Sequence, residues 1–221
     1  MIVISLTNEL RRNADHIWRK IINHPFVTEL YSGELPLEKF KYYITQDYTY
    51  LITMYRCFSL IASRADYRLA RKALELAYME ATTEMANYEK ILHSLGIKIE
   101  DVINTEPAPT NIAYMNFLTT TCALKSPIHG MIALLPCFWS YAEIAEEHKH
   151  RLDSNRSKLY VDWASTYLSE EYKRLIHELR DLIDEVSNFH SKEELEKIFI
   201  TASKYEYLFW EMSYRMEVWP I

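Results

Sequence analysis

A cysteine placed directly after a proline, inside an apolar helical stretch, is the first feature of this sequence that could do chemistry. In MIALLPCFWSYAEIAEEH, Pro136 lacks a backbone donor and crowds the preceding turn, so a helix here should bend and loosen the carbonyl of Ile132. Cys137 follows the bend, and Tyr141 lies one turn on, on the same face. A thiol in a bundle interior with a phenol one turn away suits a nucleophile with a proton-transfer partner. It equally suits a small buried hydrophobe, the usual fate of a free cysteine. Position alone leaves both readings open.

Two further acid–phenol pairs stand on helical patterns. In FKYYITQDYTYLITMYRCF, Asp47, Tyr50 and Met54 are spaced i, i+3 and i+7, which sets an acid and a phenol on an otherwise apolar stripe. A carboxylate there needs a partner, because burying it alone is costly; the partner could be a neighbouring tyrosine or arginine, or a ligand. In YEYLFWEMSY, Glu206 and Glu211 are five apart and do not share a face, whereas Glu211 and Tyr214 do. A solvated glutamate at a helix end explains Glu211 as well as chemistry would.

Metal chemistry has less support. A di-iron carboxylate bundle uses two Glu-x-x-His pairs with two more glutamates. One such pair occurs, Glu147-His-Lys-His150, in a highly charged stretch, and there is no His-Glu-x-x-His. The other histidines (His16, His24, His93, His129, His177, His190) are scattered. No metal or other cofactor is expected. G-x-S-x-G is absent as well, so no serine-hydrolase elbow is readable.

Composition narrows the frame that must position these groups. The chain has 221 residues, nearly half apolar and a quarter charged, which is globular rather than disordered. It holds three glycines, where average usage would give roughly fifteen. Tight hairpins, Rossmann loops and P-loops all need glycine, and neither G-x-G-x-x-G nor G-x-x-x-x-G-K occurs. A net charge of −6, with no basic run longer than two, argues against a nucleic-acid partner. The longest uncharged stretch, Ser126 to Ala142, is broken by Pro127, His129, Gly130 and Pro136 and is marginal for a membrane span. The N-terminal MIVISLTNELRR places its charges after a short apolar stretch, the reverse of a signal peptide. Three cysteines (Cys57, Cys122, Cys137) show no C-x-x-C and imply no disulfide scaffold. A cytoplasmic protein is expected.

Helical periodicity runs through nearly the whole chain and predicts an all-α domain over residues 1–221, with seven to nine helices. The pattern gives helices from Leu6 to Ile22, with Asn23-His24-Pro25 as a stop, from Leu37 to Ala65, and from Tyr67 to Leu95, with Gly96 as a left-handed cap. A loop follows over 97–109, then a helix from Asn111 to Ala123 capped by Thr110, and another from Ser126-Pro127 to about Lys149. Leu159 to Tyr167 is a short helix. Capping boxes at Ser169 and Ser191 start the last two, ending near Val186 and Met216.

Taken together, four blocks resemble the TenA (thiaminase II) family. They are Asp47-x-x-Tyr50 in a tyrosine-rich helix, Ala113-Tyr114-x-x-Phe117-Leu118, Leu135-Pro136-Cys137-Phe138-Trp139-x-Tyr141-x-Glu143-Ile144, and Glu211-x-x-Tyr214. The likeness covers nearly the whole chain in order, spacing and length, and the Pro-Cys-x-Trp-x-Tyr string is its most specific element. It implies a single-domain helical bundle of the haem-oxygenase type without haem, assembled as a homotetramer. The implied activity is hydrolytic release of the group on the 5-methylene of a 4-amino-2-methylpyrimidine. The substrate would be the aminomethyl-pyrimidine from degraded thiamin, or thiamin itself.

The resemblance also implies roles. Cys137 would be the nucleophile, placing the chain in the family's cysteine-containing branch. Asp47 would hold the exocyclic amine and a ring nitrogen, and Glu211 would transfer a proton or activate water. Tyr50, Tyr141 and Tyr167 would orient groups, Tyr114 would shape the pocket, and Phe138 or Tyr214 would stack on the ring. Tyr214 departs from the family's usual Phe, and the surroundings of Tyr167 match loosely. Thiolate addition to the electron-poor ring would let the methylene's leaving group depart, which divides one hard substitution into easier steps. Two other readings stand beside this one: a pyrimidine-binding or regulatory protein on the same scaffold, and a metal-dependent oxygenase. A phosphorylated substrate would need a cation, for which Arg56 and Lys125 are the candidates.

Overall fold

The computed structural model describes residues 5–187 and 190–221; residues 1–4, the apolar stretch ahead of Arg11 and Arg12, lie outside them. Among the described residues the regular structure is helical throughout, with twelve α-helices, one π-helical turn and no strand. The all-α expectation therefore holds, but the helices outnumber the seven to nine anticipated, for local reasons.

The segment expected as one helix from Leu6 is two, α1 (Leu6–Asn13) and α2 (Asp15–Ile22). The break is the single residue Ala14 (φ −87°, ψ 1°), whose N–H still bonds to the Leu10 carbonyl. The buried face of Leu10, Ala14, Ile17, Trp18 and Ile21 continues through it, so periodicity passes over the break. Asn23-His24-Pro25 does stop α2, and it also starts α3 (Pro25–Ser32): Pro25 takes the first turn and the His24 ring accepts from the Phe26 N–H. Gly33, at φ +82°, ends α3 in the left-handed conformation.

Then come α4 (Leu37–Ala62) and α5 (Tyr67–Met79), the latter capped by Asp66. The expected continuous helix to Leu95 is interrupted by a π-helical turn at Glu80–Glu84 before α6 (Met85–Leu95), which ends at left-handed Gly96 as anticipated. The expected loop contains the short α7 (Ile99–Ile103). Helix α8 (Pro109–Leu124) begins with Pro109 rather than behind a Thr110 cap. Thr110 lies inside the first turn, where its N–H and hydroxyl donate to the Glu217 carboxylate at 2.9 and 3.1 Å. Helix α9 (Pro127–Leu152) runs through Pro136 without ending. Its composition and length would allow a membrane span, but 78% of the apolar window is buried, as in the core helix of a globular protein. Helices α10 (Lys158–Thr166), α11 (Glu170–Val186) and α12 (Lys192–Arg215) follow, with Ser157, Ser169 and Ser191 accepting from the backbone at their starts.

The chain divides into two compact units. The first comprises Met1–Glu34 and Met131–Trp210, the second Leu35–Gly130 and Glu211–Ile221. Trp18 centres the first. It is fully buried, donates to the Ser203 hydroxyl at 2.9 Å, meets Trp139 edge-on at 5.4 Å and stacks on Phe199 at 5.9 Å. Arg11 lies over Trp18 and also grips Glu143 through two guanidinium nitrogens, at 3.0 and 2.7 Å.

In the second unit α4 supplies Phe40, Tyr43, Ile44, Met54, Phe58 and Ile61, all buried. Gln46 ties α4 to the start of α8: its Oε1 accepts from the Ala108 N–H at 2.9 Å and from the Asn111 amide at 3.1 Å. Gly130 allows a close approach, since a Cβ there would fall 2.8 Å from Ile61 Cγ1. The chain's end is tied down too, with Tyr42 donating to the Glu217 carbonyl and Trp219 Nε1–H to the Pro107 carbonyl.

Candidate functional site

The first unit holds Cys137, Phe138, Tyr141 and Tyr167 of the residues singled out above. Cys137 is half-buried on α9, directly after Pro136, while Phe138 and Tyr141 are buried. Tyr141 is the centre of an aromatic cluster. Its ring lies 4.9 Å from Tyr167, 5.2 Å from Trp210 and 5.9 Å from Trp163. Tyr167 in turn meets Trp163 at 4.9 Å and Tyr172 at 5.2 Å, both edge-on. The Tyr172 hydroxyl donates to the Phe138 carbonyl at 2.8 Å, tying the start of α11 to the turn of α9 that carries Cys137. Tyr141 and Tyr167, paired in the sequence only through the family likeness, are thus in ring contact.

One residue of this unit was set aside in the sequence and takes a prominent place in the structure. Glu206 is 3% exposed, and its carboxylate accepts from the Ser140 hydroxyl at 3.3 Å. Ser140 immediately precedes Tyr141, and Trp210, one turn beyond Glu206 on α12, touches the Tyr141 ring. Helical spacing offered the signal, since Glu206 shares a face with Trp210. Spacing does not say which face of α12 is buried, and so could not rank Glu206 above Glu211. Trp163, Trp210 and Tyr172 were missed for the same reason, as core aromatics look alike in sequence.

The second unit holds Asp47, Tyr50, Tyr114, Glu211 and Tyr214. Asp47 is half-buried on α4, Tyr50 is buried one turn on, and the Tyr50 ring lies 5.3 Å from fully buried Tyr114 of α8. The structure therefore joins Tyr50 and Tyr114 as an aromatic pair beside Asp47. Glu211 pairs with the exposed Arg215 at 2.5 Å, and Lys39 lies over the Tyr214 ring at 3.1 Å from its centroid.

Two acids near Asp47 were not anticipated. Glu80, in the π-helical turn, is 4% exposed, and burial pushes its carboxyl well above the usual range, with the charges of Glu84 and Asp47 adding to the effect. Burial raises Glu84 as well. The Tyr88 phenol, which donates to the Ile44 carbonyl at 2.8 Å, is pushed up by burial and then by Asp47 and Tyr48. The i, i+4 spacing of Glu80 and Glu84 inside an apolar helical pattern was the available signal, but a π-turn, which rotates one buried acid relative to the next, has no such sequence mark.

Among the described residues no three histidine, cysteine, aspartate or glutamate side chains gather as a metal site, and Glu147 and His150 are exposed near the end of α9. Arg56 and Lys125 are also exposed.

Comparison with known proteins adds to this geometry. Residues 11–216 match the model of the TENA/THI-4/PQQC family. The chain is 33% identical over 220 residues to the aminopyrimidine aminohydrolase of Halalkalibacterium halodurans, covering 98% of each chain. Among solved structures it resembles a TenA homologue protein from P. horikoshii OT3, at 49% identity with a TM-score of 0.93, over 96% of this chain and 99% of that one. A domain of unknown function from Shewanella denitrificans with a haem-oxygenase-like fold, at 17% identity, shares the fold with a TM-score of 0.78, over 97% and 94% of the two chains.

Proposed function

This chain belongs to the TENA/THI-4/PQQC family, and from that premise we propose that it is an aminopyrimidine aminohydrolase, a thiaminase II. It would release ammonia from 4-amino-5-aminomethyl-2-methylpyrimidine, or the thiazole alcohol from thiamin, and leave the hydroxymethyl-pyrimidine for thiamin salvage. The observation that carries the reading is Cys137: a half-buried thiol on α9, one turn before the ring cluster of Tyr141, Tyr167, Trp163 and Trp210.

The chemistry runs in two halves. The Cys137 thiolate adds to a carbon of the electron-poor pyrimidine ring, which loses its aromaticity. The amine leaves the methylene with a proton to give an exocyclic methylene; aromaticity returns only when the thiolate is later expelled. Water then adds at the methylene, the thiolate is expelled, and one water has been exchanged for one ammonia. Charge builds on the ring nitrogens during addition, so an acid must face them. Asp47 takes that role through the exocyclic amine and a ring nitrogen, with Tyr50 and Tyr114 beside it. Phe138 and Tyr214 offer faces to the flat ring, and Tyr141 and Tyr167 orient the reacting groups.

The family likeness suggested Glu211 for proton transfer. Burial favours Glu206, a carboxylate out of water beside Ser140 and Tyr141, over a Glu211 already paired with an exposed arginine. We therefore assign proton transfer to Glu206. Residues 1–221 act as one functional domain, in the cytoplasm and as a homotetramer, without nucleic acid, membrane, metal or other cofactor. Chromatographic assay of both substrates tests the reading. Turnover of the aminopyrimidine supports it, while tight binding of hydroxymethyl-pyrimidine with no turnover would make the protein a pyrimidine-binding one.

A further inference from the structure

The last residues of the chain cross the start of α8 and hold it from outside. Helix α12 ends in a left-handed turn: Met216 takes φ +50°, in the place glycine usually fills, and the Glu217 N–H closes on the Met212 carbonyl at 3.0 Å. Among the described residues no other non-glycine has a positive φ. The turn aims Glu217 at α8, whose N-cap residue, Ala108, has no side-chain acceptor to offer. The Glu217 carboxylate supplies that cap, accepting from the Thr110 N–H and hydroxyl at 2.9 and 3.1 Å. Two more bonds fix the crossing. Trp219 Nε1–H donates to the Pro107 carbonyl at 3.2 Å, and the Tyr42 hydroxyl donates to the Glu217 carbonyl. Burial, and then the Glu217 charge, push the Tyr42 phenol up, so it stays a donor.

This hold continues along the α4–α8 seam. On α4, Tyr42, Gln46 and Tyr50 are spaced four apart and form one row. Tyr42 meets the crossing segment. Gln46 accepts from the Ala108 N–H at 2.9 Å, and its backbone carbonyl accepts from the Asn111 amide at 2.8 Å. Tyr50 meets Tyr114 at 5.3 Å, and Tyr114 lies one turn beyond Thr110 on α8. The contacts thus lead from the chain's end to the ring pair beside Asp47.

We propose that Glu217 is a positioning residue for pyrimidine binding: by capping α8 from the chain's end, it fixes α8 on α4 and so the place of Tyr114 against Tyr50 and Asp47. The inference rests on the pyrimidine-hydrolase reading. Glu217 itself touches no substrate. Without it, the first turn of α8 loses two hydrogen bonds and a favourable charge at its positive end, and Tyr114 is held less exactly. The effect falls on binding, because Asp47, Tyr50 and Tyr114 are the groups assigned to hold and enclose the ring, and the bond-breaking groups lie elsewhere in the chain.

The test measures the Kd of hydroxymethyl-pyrimidine by calorimetry, and KM and kcat for aminomethyl-pyrimidine, on the full chain. Glu217→Ala should raise Kd and KM by about 5–30-fold and leave kcat within about threefold of wild type. Glu217→Gln can still accept from the Thr110 N–H and can donate to its hydroxyl, so it should restore Kd to within about threefold. Thr110→Val, which keeps only the backbone bond, should fall between. In a Tyr114→Leu background Glu217→Ala should add no further loss of binding, because the ring it places is gone. Wild-type Kd in Glu217→Ala, a loss confined to kcat, or an undiminished loss in the Tyr114→Leu background overturns the positioning role and leaves the hydrolase reading standing. If Glu217→Ala fails to fold, Thr110→Val decides, and a wild-type Kd there overturns the role. A wild-type chain that neither binds nor turns over pyrimidine overturns both.

Discussion

The Ser140 hydroxyl donates to the Glu206 carboxylate across 3.3 Å, and both residues are buried. A carboxylate is costly to hold out of water without hydrogen bonds, so this contact fixes the acid in place as well as satisfying it. It also distinguishes Glu206 from Glu211, whose partner Arg215 is 75% exposed and whose ion pair is worth little. Glu206→Gln should lower kcat by about 10²–10⁴-fold, the usual range for a lost acid–base group, with circular dichroism unchanged. Glu211→Gln should stay within a few-fold of wild type. The reverse order of losses would return proton transfer to Glu211.

Asp47 is assigned to the substrate's amine and ring nitrogen, a charged hydrogen-bonding role worth about 1.5–3 kcal/mol. Steady-state kinetics of Asp47→Asn should therefore show kcat/KM reduced by roughly 10–150-fold, with stability close to that of wild type. A variant with wild-type kcat/KM would remove Asp47 from the binding role.

Glu80 makes stability depend on pH in a definite direction. Its folded-state pKa is raised by burial and by the charges of Glu84 and Asp47, so the folded chain keeps a proton that the unfolded chain releases near 4.5. The stabilisation is complete below that unfolded value and is lost as pH rises through the higher folded one. Glu80→Gln has no proton to lose. Its thermal midpoint should gain on wild type steadily from about pH 5 upward. Parallel curves for the two proteins would mean that Glu80 is not held protonated.

Gly33 sits at φ +82°, and a Cβ there would come within 2.5 Å of Asn155 Oδ1. Asn155 cannot swing away cheaply, because its amide donates to the carbonyls of Leu30 and Tyr31 at 2.9 and 3.0 Å. Gly33→Ala should cost about 1–3 kcal/mol in urea unfolding. Asn155→Ala in the same background should recover part of that loss by removing the clash.

Most helices were legible because their signals are local and additive. Gly96, Ser169 and Ser191 ended or began helices where their chemistry requires it, and the Pro-Cys-x-Trp-x-Tyr string lies on α9, where it carries Cys137, the proposed nucleophile. Breaks that keep the apolar face in register were not legible. Ala14 interrupts α1 and α2 while the buried stripe runs on, and the π-turn at Glu80–Glu84 lies inside an unbroken helical pattern. The same limit applied to the site. Spacing paired Glu211 with Tyr214 and Glu206 with Trp210 equally well, and tertiary burial alone separated them. Thr110 reads as a cap by type, yet its hydroxyl is taken by Glu217, about a hundred residues along the chain.

The central claim is that Cys137 is the nucleophile of a pyrimidine hydrolase. The most direct test is a chromatographic time course of aminomethyl-pyrimidine and thiamin, with wild type and Cys137→Ser side by side. The account predicts faster turnover of the aminopyrimidine by wild type and a loss of about 10⁴–10⁶-fold in the variant, as for other removed nucleophiles. Near-normal turnover by Cys137→Ser would contradict it.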